Sequence, residues 1–127
     1  MLDHMGIYVR SADTSFPFYR AVLATLGIQM VQERFEGKAN IFMRVGERFF
    51  LFLGEGGSEP RNSQPGVSPV HFGFTANSKA EVDAFHAAGL AHGGQDNGPP
   101  GHRSPTIYSA FVYDPDGNNV EAIYRLD

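Results

Sequence analysis

Two histidines occupy matching surroundings in this chain: His4-Met5-Gly6 near the start and His71-Phe72-Gly73 past the midpoint. Sliding one half over the other in that register sets Phe18 on Phe85 and Leu23 on Leu90. Imidazole is a metal ligand and a proton carrier near neutral pH. Two imidazoles at repeat-equivalent positions approach one another when the halves pack about a pseudo-twofold axis. A third candidate lies in Asn118-Asn119-Val120-Glu121-Ala122-Ile123. Val120 and Ala122 alternate with Glu121, so if they face a helix, Glu121 faces the side that His4 and His71 occupy. A carboxylate held inward among apolar residues needs a partner; a divalent metal is one, an arginine another. Two imidazoles and one carboxylate leave coordination positions open, which suits catalysis rather than a closed structural site. Aligning the turn glycines Gly46 and Gly117 sets Phe50 opposite Glu121, so the repeat is symmetric at the histidines and broken at that pair.

The elements that must hold these residues follow from periodicity. Residues 4–10 alternate, with Met5, Ile7 and Val9 on one face and His4, Gly6 and Tyr8 on the other, the period of a strand buried on one side. Ser11 to Ser15 supply helix caps, Pro17 suits a first helical turn, and Tyr19, Val22, Leu23 and Leu26 follow at helical spacing up to a stop at Gly27. Segments near 28–35, 40–45 and 48–53 read as strands, the last two joined by a tight turn at Gly46-Glu47. The second half opens with a strand near 69–75. Ser78-Lys79-Ala80-Glu81 fits a capping box for a helix that Gly89 closes. Gly93 to Pro105 reads as a loop or an edge strand. Strands at 107–113 and 119–125 then flank the turn Asp114-Pro115-Asp116-Gly117. The order is β-α-β-β-β twice, an α+β arrangement with helices on one side of curled antiparallel sheets.

Composition limits the function. At 127 residues the chain suits one domain with a real core. Eleven Phe and five Tyr supply a β-rich interior. A net charge of −4 without a basic run argues against nucleic acid as a partner. The absence of cysteine excludes disulfides, thiolate catalysis and Cys-type zinc sites, and suits the cytoplasm. No run approaches a membrane span, and MLDHMGIYVR lacks the make-up of a secretion signal. His86 and His92 have no matched company and read as helix-surface and loop residues.

Asp3-His4, Phe18-Tyr19, Leu26-Gly27, His71-Phe72-Gly73-Phe74, Val82-Asp83-Ala84-Phe85-His86 and the stretch from Ala110 to Ala122 together resemble the vicinal oxygen chelate superfamily. That superfamily includes glyoxalase I, extradiol dioxygenases, and fosfomycin- and bleomycin-resistance proteins. Asp114-Pro115-Asp116-Gly117-Asn118-Asn119-Val120-Glu121 is the most specific part of the likeness. The resemblance implies one domain of paired βαβββ modules, about 1–54 and 69–127 with a linker at 55–68, forming a cup-shaped mixed or antiparallel sheet, the glyoxalase-like fold. It implies one divalent metal per site (Mn, Fe, Ni, Zn or Mg) held by His4, His71 and Glu121, with Glu121 also catalytic, and a substrate chelated through adjacent oxygens.

Phe50 and Phe52 are then expected to line the cup, with His102, Arg103 and Tyr108 as polar substrate contacts at its mouth. Glyoxalase I resemblers carry a carboxylate in the last strand of the first half. Here that strand reads Arg48-Phe49-Phe50-Leu51-Phe52-Leu53, with Glu55 just beyond. The loop Asn97-Gly98-Pro99-Pro100-Gly101-His102-Arg103 resembles one in a glyoxalase-like branch. The expected function is a metal-dependent enzyme of lyase, isomerase or dioxygenase type acting on a small oxygenated molecule. The alternative is a metal-free, bleomycin-resistance-like protein that sequesters its ligand. A homodimer is expected, with each site completed within one chain or across two.

Overall fold

A computed structural model of the chain describes residues 2–35, 38–45, 47–55 and 70–127. Most of the expected linker, and Gly46 of the expected turn, lie outside these residues. Among the described residues the order is β1 (Met5–Val9), α1 (Ala12–Ala24), β2 (Gln29–Phe35), β3 (Lys38–Val45) and β4 (Arg48–Glu55), then β5 (His71–Thr75), α2 (Lys79–Ala91), β6 (Gln95–Ser104), β7 (Ile107–Tyr113) and β8 (Asn119–Arg125). They form two four-stranded sheets of the same topology, β1-β4-β3-β2 and β5-β8-β7-β6. In each, the first strand pairs in parallel with the last and the other pairings are antiparallel. The doubled β-α-β-β-β order read from periodicity is the observed one, and both sheets are mixed. No helix among the described residues is long and apolar enough to cross a membrane.

The alternation at the start behaves as expected: Ile7 and Val9 are buried while His4, Gly6 and Tyr8 are exposed. Ser11 caps α1 by accepting the Thr14 N–H. Gly27, at φ +73°, ends that helix, with the Ile28 N–H reaching back to the Leu23 carbonyl. Ser78 caps α2 through the Glu81 N–H, while the Glu81 carboxylate reaches one residue further back, to Asn77 N–H.

Two helix details differ from expectation. Pro17 sits beyond the first turn of α1, inside the helix. Gly89 does not close α2, which continues to Ala91 before Gly93 at φ +92° and the Gly94 N–H to Gly89 carbonyl bond end it. Gly89 is instead a packing position: an added Cβ would stand 3.0 Å from Val112. The helix lies so close to β7 that a larger residue would press on the Val112 side chain, which would have to give by a few tenths of an ångström.

The helices pack on each other and on the inner faces of their sheets. Phe18, Tyr19, Val22, Leu23, Val82 and Phe85 are fully buried there with Ile41, Met43, Leu53, Ala110, Val112, Val120 and Ala122. Tyr19 stacks on Phe72 at 6.5 Å, and Phe50 meets Phe74 at 6.3 Å.

A polar seam also joins the halves at the turn between β7 and β8. Tyr19 Oη donates to Asp114 Oδ2 (2.6 Å), and Arg10 Nε and Ser15 Oγ donate to the Asp116 carboxylate. Asp114 accepts in addition from the N–H groups of Asp116 and Asn118 and from the Asn118 amide, so this buried carboxylate is enclosed by donors.

Candidate metal and substrate site

The second half brings two of the candidate ligands together. Parallel pairing of β5 with β8 sets Gly73 opposite Glu121, and His71, two residues before Gly73, shares its face. Val120 and Ala122 point into the core, so Glu121 emerges on the opposite side, as the alternation requires. Gly73 leaves room for it: a Cβ there would stand 3.3 Å from Glu121 Oε2. His71 Nε2 faces that same oxygen at 3.3 Å, with the Glu121 side chain only 13% exposed.

The orientation of the imidazole is set from behind. Its Nδ1 lies 3.2 Å from the Asn119 carbonyl, which can only accept, so Nδ1 carries a proton. In the neutral ring Nε2 then bears a lone pair directed at a carboxylate oxygen. Two acceptors at that separation require a shared proton or cation between them. Two donors on one divalent ion with bonds of about 2.0–2.2 Å stand roughly 3 Å apart. The pair therefore fits a metal, and the Asn119 carbonyl provides the outer hydrogen bond that metal-binding imidazoles ordinarily have.

His4 has the same preparation in the first half. Its Nδ1 lies 2.7 Å from Asp3 Oδ1, and both side chains are largely exposed, at 63% and 84%. Hydrogen bonding to His4 holds the Asp3 carboxyl below the usual carboxylate value. His4 lies on a cleft of about 580 Å³ walled by Phe42, Phe49, Phe52, Arg48 and Glu33. These residues all belong to the first half, whereas the neighbours of His71 all belong to the second. Among the described residues no three His, Cys, Asp or Glu side chains converge on one point. The packing of the two halves within one chain thus does not bring His4 to the His71–Glu121 pair.

The partner of Glu121 in the repeat requires correction. Gly6 faces Phe52 as Gly73 faces Glu121, so Phe52, and not Phe50, is the equivalent residue. The turns that close the two hairpins are not equivalent. β3 and β4 pair up to Val45 and Arg48, whereas Tyr113 and Asn119 enclose the longer turn Asp114–Asn118. A bulge also leaves Phe50 unpaired between Phe49↔Arg44 and Leu51↔Met43. The bulge puts Phe49 and Phe52 on one face, where both rings meet Phe42 at 5.6 and 6.1 Å, and turns Phe50 toward Phe74 in the core. Phe52 thus lines the cleft and Phe50 packs inside. Glu55 is committed elsewhere, accepting the Ala12 N–H (3.1 Å) at the start of α1.

The three polar candidates of the β6–β7 hairpin separate in the same way. His102 and Tyr108 face one another across the ladder and lie against α2. There Tyr108 Oη donates to Asp83 (2.7 Å) and Lys79 Nζ donates to His102 Nε2 (3.1 Å). Hydrogen bonding to Asp83 raises the Tyr108 phenol above its ordinary pKa. Arg103 turns the other way. Its guanidinium lies 5.4 Å over Phe111, the cross-strand partner of Glu121, whose ring is 6.1 Å from that of His71. Asp3, Phe42, Phe49, Phe111 and the Asn119 carbonyl escaped the reading by residue type. Only the adjacency of Asp3 to His4 and of Asn119 to the Glu121 strand hinted at them.

Comparison with known proteins places these observations. A family model described as the Glyoxalase/Bleomycin resistance protein/Dioxygenase superfamily matches residues 1–122. A solved glyoxalase/bleomycin resistance protein from Albidiferax ferrireducens is 35% identical, with 98% of each chain covered and a TM-score of 0.77. A lactoylglutathione lyase from Agrobacterium tumefaciens is 29% identical over 95% of this chain and 91% of its own, at a TM-score of 0.65. An uncharacterised protein of Pseudomonas aeruginosa is 29% identical, covering 97% of this chain and 87% of that one.

Proposed function

The chain belongs to the glyoxalase/bleomycin resistance protein/dioxygenase superfamily, and on that premise we propose that it is a divalent-metal-dependent enzyme acting on a small molecule through two adjacent oxygens. The observation that carries this reading is His71 Nε2 standing 3.3 Å from Glu121 Oε2, with Nδ1 3.2 Å from the Asn119 carbonyl. His71 and Glu121 would hold the ion from the second half and His4 from the first. The bound ion supplies Lewis-acid polarisation of the substrate oxygens. The protein's own part is to orient the donors through Asp3 and Asn119, and to provide in Glu121 a carboxylate that can accept a substrate proton. Phe42, Phe49 and Phe52 present an apolar wall to the rest of the molecule. Because His4 and the His71–Glu121 pair lie on different sheets, we place the complete site between two chains, the first half of one facing the second half of its partner. The protein is accordingly a homodimer in this reading.

The phenylalanine cleft also favours a second reading, in which the protein sequesters an apolar ligand without a metal. Metal content separates the two. Calorimetric titration of the purified protein with Mn²⁺ and Ni²⁺ should show saturable binding, and His71→Ala and Glu121→Ala should each weaken it by at least about tenfold. Binding that survives both substitutions would end the metal reading.

A further inference from the structure

We propose that Arg103 is a specificity-determining residue that receives a carboxylate or phospho group of the ligand on the His71–Glu121 face. Arg103 Nη2 donates to the carbonyls of Pro99 and Ser109, which fix the plane of the guanidinium over Phe111. Nε and Nη1 have no hydrogen-bond partner among the described residues, and the side chain makes no ion pair with a carboxylate there. An arginine held by carbonyls and an aromatic ring, its charge unmet, is prepared for an external oxyanion. Gly98 and Gly101 border it closely: added Cβ atoms there would each lie in van der Waals contact, at 3.4 Å, with its terminal nitrogens.

Ser109, fully buried and on the face that Phe111 shares along β7, helps to fix the guanidinium through its backbone carbonyl. The ligand class that results is a small oxyanion: one charged end on Arg103, and oxygens turned toward His71 and Glu121.

This assignment of the ligand class rests on the metal-enzyme reading, but its test does not need the metal. The metal-free full chain would be titrated separately with malonate and with methylphosphonate, with dimethyl malonate as the uncharged control, while the Arg103 Nε–H resonance is followed by NMR. Saturable movement of that resonance by malonate assigns a carboxylate, and by methylphosphonate a phospho group. Arg103→Gln should weaken the binding by about tenfold or more, and Arg103→Lys should recover only part of it. An unmoved resonance with both anions, or equal affinity in Arg103→Gln, would overturn the proposal. Loss of Mn²⁺ binding in a parallel titration would overturn only the metal reading.

Discussion

The site is asymmetric at one residue. Phe52 stands over Gly6 as Glu121 stands over Gly73, and an added Cβ at Gly6 would run into the Phe52 ring. Each half thus has a histidine with a bonded Nδ1, a glycine that clears space, and a residue that fills the space. In one half that residue is an anion and in the other a hydrocarbon. A carboxylate at position 52 would add a fourth anionic or imidazole donor to the site proposed above. Phe52→Glu should therefore raise Ni²⁺ affinity by at least about tenfold in a calorimetric titration; unchanged affinity would place position 52 outside the coordination sphere. The faces that His4, His71 and Glu121 occupy were legible because alternation along their strands sets them. The identity of the broken pair was not, since a bulge at Phe50 and turns of unequal length shift the register in ways that composition does not record.

At the scale of elements, the seam between α1 and the β7–β8 turn decides how the halves sit together. Burial raises Asp114 above the ordinary carboxylate value, in spite of the Tyr19, Asn118 and backbone donors that pull it down. Between the ordinary and the raised value the folded state binds more protons than the unfolded state. Stability from this group therefore falls as pH rises through that window. Tyr19→Phe removes one donor from the charged form and raises the folded value further. It should cost about 1.5–3 kcal/mol at about pH 7 and clearly less at about pH 3.5, where Asp114 is mostly protonated in both states. Urea unfolding at the two pH values measures the difference, and an equal loss at both would mean that Tyr19 acts through packing alone. The Asp114-Pro115-Asp116-Gly117 signal predicted the turn, since Gly117 takes φ +85° there. It held no sign that the two aspartates bind a tyrosine and an arginine from the opposite half, because those contacts join residues far apart in the chain. Gly89 was misread for a similar reason: a glycine near a helix end resembles a stop until β7 is seen packed against it.

For the whole molecule, the repeat predicted two modules of one topology, and that topology is present. Where the modules meet is the part that periodicity could not supply. The helices pack together within the chain, and His4 and the His71–Glu121 pair keep to faces lined by their own halves. If the site is completed by a second chain, a dimer of His4→Ala chains has no complete site, and neither does a dimer of Glu121→Ala chains. A mixed dimer has one site with both losses and one with neither. Unfolding and refolding the two variants together in equal amounts should return about a quarter of the wild-type metal sites, since random pairing makes half the dimers mixed and each mixed dimer holds one intact site. Sites built within a single chain would give no recovery at any mixing ratio. Light scattering on the same samples fixes the dimer itself, so that a failure to associate is told apart from a failure to share ligands.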